Sequence, residues 1–150
     1  MKTILLIHGA NLNMLGKRDA KHYGHLTLKE LEKQVASAAK KHRLKVKAFQ
    51  SNYEGGIIDF LQKNSPKAAG ILINPGAYTH YSYAIHDALI DTKLPAIEVH
   101  LSKVTEREDW RAKSVTAPAC VAVFSDEQEE SYRKAVSELA KRLSAPNSKH

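Results

Sequence analysis

Residues 71–73 form an uninterrupted apolar run, and a turn sequence follows it at once. A strand that is apolar on both faces is typical of a parallel sheet covered by helices on each side. Asn74-Pro75-Gly76 then ends the strand, because proline fixes one φ angle and glycine frees the next. Apolar residues recur at helical spacing further on, which predicts a helix beginning soon after His80 (Ala84, Ile85, Ala88 and Leu89).

Asn74 and His80 are therefore expected together at the carboxyl end of a central strand. In open α/β sheets this edge is where ligands bind. The same stretch also allows a purely structural interpretation, in which Asn74 only caps the turn and His80 is a surface residue.

Four further apolar segments predict strands, at residues 3–8, 46–49, 95–100 and 120–124, and helical patterns separate them. The first helix should begin after Thr27, because Thr27 and Glu30 have the spacing of a capping box. A short helix is expected after Gly55-Gly56, and the last helix should open with the acidic residues 126–130, where the helix dipole favours negative charge. This alternation predicts a flavodoxin-like, doubly wound α/β fold, with a five-stranded parallel sheet and helices on both faces.

Length and charge limit the classes of protein that the chain can belong to. Its 150 residues suit one domain, 1–150, in which residues 144–150 are expected to be a frayed tail. The formal charge of +7 favours an acidic ligand, but aromatic residues are only 7% and are not interleaved with basic ones, so nucleic-acid binding is not expected. No segment is long enough to span a membrane and the first apolar run is too short for a signal peptide, so we expect a cytoplasmic protein.

Polar residues follow four of the five predicted strands. Since the carboxyl ends of parallel strands meet at one edge, they predict a site for a small polar ligand (Asn11, Asn52, Asn74, and His100 with Ser102). The connection at residues 9–25 is long for a compact domain, and connections of this kind are usually lids or binding loops.

Several kinds of chemistry find no support in the residues. No group of His, Cys, Asp and Glu has metal-ligand spacing, and no glycine fingerprint for a dinucleotide follows the first strand, so no metal or cofactor is expected. Residues 11–16 are not a flavodoxin phosphate loop, and the first strand lacks the acidic end of a receiver domain. Ser102 lacks a nucleophile elbow, and Cys120, the single cysteine, is expected to be an unreactive core thiol.

Acid–base chemistry on a small polar anion remains. Arg18 and Tyr23 lie five residues apart in the long connection, and a guanidinium group stabilises a nearby phenolate, which can then act as a base. Alternatively, Tyr23 packs the loop and Arg18 is solvated.

Several separate motifs resemble type II 3-dehydroquinate dehydratase, and they follow one another in the family's order as far as about Ser114. They are residues 11–18, Tyr23-Gly24, residues 52–55, 74–80 and 98–102, and then Arg107-Glu108 and Trp110-Arg111. The resemblance implies a flavodoxin-like subunit in trimers that assemble into a dodecamer, without cofactor or metal. It also implies a lyase that eliminates water from 3-dehydroquinate in the anti sense, through an enolate, in shikimate biosynthesis or quinate breakdown.

The resemblance assigns catalytic roles by position. Tyr23 would remove the proton at C2 as a phenolate held by Arg18, and Asn11 would stabilise the enolate through a bound water. His80 would be the general acid for the C1 hydroxyl, with Glu98 orienting its imidazole ring.

The resemblance also assigns binding roles. Asn74 would place the departing hydroxyl, and Ser102 with backbone N–H groups near Leu101 would hold the substrate carboxylate. The other expected contacts are His100 and Arg111 to ring hydroxyls, Arg107 in support of the tyrosine, and Asp87 from a neighbouring subunit.

The chain departs from the family pattern at several positions. Ala10 and Asp19-Ala20 replace residues that include prolines, which frees the backbone of the long connection, and residues 125–131 are acidic where a glycine-rich turn is usual. Two alternatives stay open at this point: a non-catalytic module that binds an anion, and an enzyme of the same fold that acts on a related hydroxylated ring acid.

Overall fold

The computed structural model of the chain describes residues 1–17, 25–102 and 108–145. Its strands are β1 (Lys2–His8), β2 (Leu44–Gln50), β3 (Gly70–Asn74), β4 (Ala96–Val99) and β5 (Ala122–Phe124). The α-helices of these residues are α1 (Leu28–Lys40), α2 (Glu54–Asn64), α3 (Tyr83–Thr92) and α4 (Glu129–Ser144). The strands form one parallel sheet in the order β2-β1-β3-β4-β5, which confirms the predicted flavodoxin-like topology.

Alternate residues of the strands face two separate cores. On one face, Ile4, Leu6 and Leu72 pack with buried residues of α1 and α4. On the other face, Leu5 and Ile71 pack with buried residues of α2 and α3. Every residue of β3 is buried, so the prediction from its unbroken apolar run is confirmed. Among the described residues, no helix combines the length and the apolar character needed to cross a bilayer.

The start of α1 follows its sequence signal, but the starts of α2 and α4 do not, since α4 begins at Glu129 and not at Asp126 as predicted. Thr27 Oγ1 accepts a hydrogen bond from the Glu30 N–H at 3.2 Å, which is the predicted cap of α1. The prediction that α2 would begin after the glycine pair is wrong, because α2 begins at Glu54 and includes Gly55 and Gly56. Glycine is tolerated there because the first turn of a helix lacks most of its hydrogen-bond ladder.

The fifth strand is shorter than predicted and lies at an edge of the sheet. It contains only Ala122–Phe124, and Val121 and Val123 are 44% and 47% exposed in this single chain. Cys120 lies just before the strand, and burial, with a smaller effect from the charge of Glu98, raises the pKa of its thiol to about 12. This agrees with the expectation of an unreactive thiol.

The acidic segment after β5 keeps a backbone conformation that usually requires glycine. Asp126 and Gln128 have φ angles of 76° and 54°, in the region that side chains with a Cβ rarely adopt. The chain therefore makes a left-handed turn without glycine, at a cost of about 1–2 kcal/mol per residue. Glu129 and Glu130 then lie in the first turn of α4, where the helix dipole favours negative charge.

The connections that leave β1 and β3 cross in backbone-to-backbone contact. The Gly9 N–H donates to the carbonyl oxygen of Asn74 at 2.7 Å. A Cβ atom on Gly9 would lie 2.0 Å from the Pro75 carbonyl oxygen, and one on Gly76, which has a φ of +65°, would lie 2.7 Å from the Ala10 carbonyl oxygen. Only glycine fits at either position, and this crossing sets where both connections begin.

We expect Gly9→Ala to destabilise the protein by about 1–3 kcal/mol or more, since the added methyl group would overlap the backbone of Pro75. Gly55→Ala is the matched control, because a Cβ there meets open space in a helix, and we expect a gain of up to about 1 kcal/mol. Urea unfolding of both variants at one protein concentration measures the difference. Equal stability of the two variants would contradict the crossing.

Candidate active site

A cavity of about 540 Å³ opens at the carboxyl ends of β3, β4 and β5. Four residues of the predicted site line it: His80, Glu98, His100 and Arg111. Glu98 is on β4, and His100 comes directly after β4. His80 ends the 3₁₀ turn Gly76–His80 that follows β3, and Arg111 lies in the 3₁₀ turn Asp109–Ala112. The remaining wall includes Thr79 and residues that return over this edge before β5 (Ala112, Ser114, Ala117 and Pro118).

His80 is held by backbone and aromatic neighbours. Its Nδ1 atom lies 2.7 Å from the carbonyl oxygen of Lys113, and the ring of Trp110 meets it edge-on with centroids 5.0 Å apart. Burial lowers the pKa of His80 below its usual value of 6.5, and the hydrogen bond to Lys113 opposes this effect only in part. The imidazole of His80 is therefore neutral at pH 7.

Glu98 is a fully buried carboxylate with four side-chain donors around it. His100 Nε2 lies 2.9 Å from its Oε2 atom, and the Ser114 and Thr79 hydroxyls lie 2.9 Å and 3.0 Å from the same oxygen. The Thr116 hydroxyl donates to Oε1. Burial by itself raises the pKa of Glu98, but hydrogen bonds from His100, Thr116 and Ser114 outweigh it, so the pKa stays below its usual range and the group is ionised.

This arrangement differs from the expectation that Glu98 orients the imidazole of His80. In the described residues, Glu98 binds the other imidazole, His100, and a backbone carbonyl takes the Nδ1 atom of His80. The physical reason is position along the strand. Glu98 and His100 are two residues apart, so their side chains leave β4 on the same side.

Asn74 makes the contacts expected of the structural alternative, in which it caps the turn after β3. Its amide is buried, its Oδ1 atom accepts from the Gly76 N–H at 3.0 Å, and its Nδ2 atom donates to the Tyr132 hydroxyl at 3.3 Å. Asn74 thus caps the turn that carries His80. Asn74 is not among the residues that line the cavity.

Asn11 is exposed at the start of the long connection and has a left-handed backbone, with a φ of 70°. Its N–H donates to Oδ1 of Asn52 at 2.9 Å, and Tyr78 donates to the backbone carbonyl oxygen of Asn52 at 2.6 Å. Asn52, which the sequence singled out only as a polar strand end, therefore ties the connections after β1, β2 and β3 together.

Leu101 and Ser102 are buried, 3% and 6% exposed, directly after His100. Neither of them is among the residues that line the cavity. In the cavity wall, the Arg111 guanidinium carbon lies 4.1 Å from the centroid of the Trp110 ring, and Arg111 Nε pairs with Glu108 at 2.6 Å. Arg111 and His80 thus both contact Trp110, and the positive charge of Arg111 contributes to the lowered pKa of His80.

Asp87 lies apart from this cavity on α3. Its carboxylate is 77% exposed and pairs only with the neighbouring His86, at 3.1 Å, among the contacts of the described residues. The expected site residues Arg18, Tyr23 and Arg107 lie outside the described residues. In the described ranges, no group of three or more His, Cys, Asp or Glu side chains is arranged to hold a metal ion.

Sequence reasoning missed the residues that surround Glu98. Thr79 precedes His80, and Ser114 and Thr116 follow the charged segment after β4, but isolated hydroxyls in loops are common and carry no distinctive spacing. Trp110 was part of a matched motif, yet nothing in the sequence indicated its contact with His80.

Comparison with known proteins gives one consistent family. The family model described as Dehydroquinase class II matches residues 2–140. The 3-dehydroquinate dehydratase of Nitrobacter winogradskyi is 46% identical over 145 residues, 96% of this chain and 93% of that protein. The protein of the same name from Clostridium acetobutylicum is 50% identical over 118 residues, 79% of this chain and 82% of that protein.

Solved structures of type II dehydroquinases are also similar to this chain. The crystal structure of type II dehydroquinase from Butyrivibrio crossotus matches with a TM-score of 0.89 at 43% identity, covering 92% of this chain and 97% of that one. The type II dehydroquinase from Propionibacterium acnes gives the same TM-score at 31% identity, covering 94% of this chain and 97% of that one. From the sheet order, the cavity at its carboxyl edge and matches along most of its length, the chain belongs to the class II dehydroquinase family, as its motifs predicted.

Proposed function

We propose that this chain is a 3-dehydroquinate dehydratase, which eliminates water from 3-dehydroquinate in the anti sense, through an enolate, to give 3-dehydroshikimate. The observation that carries the proposal is the family match over residues 2–140, which includes the cavity and both segments that border it. The cavity suits the reaction, since two imidazoles, a carboxylate and a guanidinium group surround a space large enough for a ring acid. The net charge of +7 also favours an anionic substrate.

The first step needs a base on one face of the substrate ring. We assign this role to Tyr23 as a phenolate, with Arg18 and Arg107 supplying the positive charge that stabilises it. Loss of the C2 proton places the electron pair on the C3 carbonyl oxygen as an enolate, which Asn11 would stabilise through a bound water. These assignments are supported by the positions of the residues in the family motifs.

The second step breaks the C1–O bond and needs a general acid. The family resemblance assigned this role to His80, with Asn74 placing the hydroxyl. The contacts of the two imidazoles favour His100 instead, because His100 touches an anion, Glu98, that can balance a positive charge on its ring. His80 touches a neutral carbonyl and is neutral at pH 7, so it is better suited to bind a ring hydroxyl together with Arg111.

Substrate binding completes the proposal. Ser102 and the backbone N–H groups near Leu101 would hold the carboxylate, at a buried position where a charge-assisted hydrogen bond is strong. No step requires a metal or cofactor. A non-catalytic anion-binding module and an enzyme for a related ring acid are the rival functions.

The direct test is an assay with 3-dehydroquinate, in which the conjugated product is followed by its ultraviolet absorbance. We expect turnover that survives borohydride treatment in the presence of substrate and is unchanged by EDTA, since no lysine is assigned to catalysis and no metal is needed. Substrate attached to a lysine after borohydride would overturn the mechanism. Binding without turnover would favour the non-catalytic module, and turnover of another ring acid alone would favour the second rival.

The two candidate acids can be separated by matched substitutions. We expect His100→Ala to lower kcat by about 10²–10⁴-fold, the usual worth of a general acid. His80→Ala should mainly raise KM if His80 only binds a hydroxyl. External imidazole should restore part of the turnover of His100→Ala and none in His80→Ala. The opposite pattern, with the larger loss of kcat and the rescue in His80→Ala, would return the acid role to His80.

We further propose that the enzyme assembles as trimers within a dodecamer and that Asp87 contributes to a neighbour's site. Asp87 is seven residues after His80, roughly 10 Å along a helix, and its exposed side chain lies away from its own cavity. Large side chains are exposed on the same helix and just before it (Tyr81, Tyr83 and Ile90), as expected of a surface that is covered in an assembly.

Mixed assemblies test this arrangement. Tyr23→Phe should lose nearly all turnover because it deletes only the proton acceptor, and Asp87→Ala should weaken substrate binding. Mixing the two variants should restore activity, since some sites would then combine an intact Tyr23 with an intact Asp87. A fully active monomer, shown by sedimentation at the assay concentration, would contradict the proposal. So would a mixture no more active than the sum of its parts.

A further inference from the structure

Three hydroxyl groups form a closed cluster around the carboxylate of Glu98. The Thr79 hydroxyl lies 2.7 Å from that of Ser114 and 2.8 Å from that of Thr116, and the last two are 3.2 Å apart. Each of the three also contacts a carboxylate oxygen of Glu98. Thr79 and Thr116 are buried, at 1% and 0% exposure, so water does not compete for these contacts.

The number of donors matches the capacity of an ionised carboxylate. A carboxylate has about four acceptor sites, and four donors meet Glu98: His100 and the three hydroxyls. The Ser114 oxygen also accepts from the Ala117 N–H at 2.9 Å, and its own hydroxyl reaches Glu98 Oε2 at 2.9 Å.

We propose that Thr79, Ser114 and Thr116 are positioning residues for the dehydration. They keep Glu98 ionised and aimed at Nε2 of His100, so that the opposite nitrogen, Nδ1, is the one that exchanges a proton with the substrate. This inference rests on the proposed function, and in particular on His100 as the acid. The three residues act through Glu98 and His100, and none of them is assigned a contact with the substrate.

Residues 113–116 contact both His80 and Glu98, and Glu98 in turn contacts His100. The Val115 N–H donates to the Thr79 carbonyl oxygen at 2.7 Å, and the Lys113 carbonyl oxygen holds His80. Residues 113–116 therefore fix the His80 turn by their backbone and Glu98 by their side chains. Ser114 and Thr116 of the hydroxyl cluster lie in the connection that leads to β5, and Thr79 lies in the turn after β3, so the cluster joins these two segments over Glu98.

Within residues 1–17, 25–102 and 108–145, four titratable or charged groups are placed near Glu98. His100 is in contact with it, His80 and Arg111 line the same cavity, and the Cys120 thiol feels its charge. Cys120 has a pKa raised to about 12, Arg111 is always charged, and a lowered pKa keeps His80 neutral except in acid. The expected change in pH dependence therefore arises in the Glu98–His100 pair.

The test uses Thr116→Val, which keeps the shape of the side chain and removes its hydroxyl, and Ser114→Ala as a second variant at a less buried position. Thr116→Ser is the conservative rescue. Thr92→Val is the matched control, because the Thr92 hydroxyl caps the end of α3 away from Glu98, donating to the Leu89 carbonyl oxygen at 2.7 Å and accepting from the Leu94 N–H at 3.2 Å.

The first readout is the pH profile of kcat. Hydrogen bonds to a carboxylate lower its pKa, so their loss raises the pKa of Glu98, and Glu98 then takes up a proton at higher pH. We expect the acidic limb of the profile to move up by on the order of one pH unit in Thr116→Val and Ser114→Ala, the effect of one hydrogen bond to a charged group. The limb should stay unchanged in Thr116→Ser and Thr92→Val.

The second readout needs no activity. Carboxyl ¹³C NMR of the substrate-free protein, with Glu98 assigned by its absence in Glu98→Gln, follows the titration of Glu98 directly. We expect the same upward shift in the two hydroxyl-deleted variants, and ¹⁵N NMR should show the proton of neutral His100 on Nε2 in the wild-type protein. Circular dichroism confirms that each variant is folded.

The outcomes separate this inference from the proposed function. Unshifted titration of Glu98 in folded Thr116→Val and Ser114→Ala would overturn the positioning role, whatever their kcat. A lower kcat with an unchanged acidic limb would likewise overturn the positioning role, because it would show that the hydroxyl cluster contributes only to packing. A wild-type protein without dehydratase activity would overturn the proposed function, and the NMR titration would still decide whether the hydroxyls control Glu98.

Discussion

The ionised carboxylate of Glu98 is the constraint on which the candidate site depends. A buried charge without partners costs about 3–5 kcal/mol when one member of its pair is removed, so the fold has to bring donors to it. The sheet supplies only His100, from the end of the same strand. The other three donors come from the turn after β3 and from the connection before β5, and both segments must therefore meet over β4. The walls of the cavity are a consequence of satisfying this one charge.

A second constraint comes from the backbone alone and fixes the connections after β1 and β3 at the same edge of the sheet. The crossing of Gly9 with Pro75 and of Gly76 with Ala10 leaves no space for side chains, so the connections after β1 and β3 have one relative position. Asn52 adds the connection after β2 through its contacts with Asn11 and Tyr78. The start of the long connection is thus fixed even though Ala10 stands where the family usually has proline. The left-handed backbone of Asn11 is an expected consequence, since asparagine tolerates this region better than most residues.

Most of the fold could be predicted from the sequence, because it depends on signals that are local or periodic. Strand β3 contains the unbroken apolar run at residues 71–73, and helix α1 has its predicted cap at Thr27. The alternation of strand and helix patterns likewise matches the order of elements in the structure. The limits of β5 and the start of α2 were predicted less well, since an edge strand lacks a second neighbour and glycine at a first helical turn resembles a loop. The parallel topology predicted that His80 and His100 would lie at one edge of the sheet, and the family motifs added Glu98 and Arg111, which line the same cavity.

The partner of Glu98 could not be predicted in the same way, and the reason bears on the chemistry. The imidazole that Glu98 meets depends on side-chain direction and on a loop that contacts Glu98 from 16 residues further along the chain. Neither of these has a periodic sequence signal. The result is that the cavity contains two histidines in different electrostatic surroundings. His80 has a neutral carbonyl, an aromatic edge and a nearby guanidinium group, all compatible with a neutral ring. His100 has a fixed anion, Glu98, 2.9 Å from its Nε2 atom, and this difference between the two histidines is the basis for proposing His100 as the general acid.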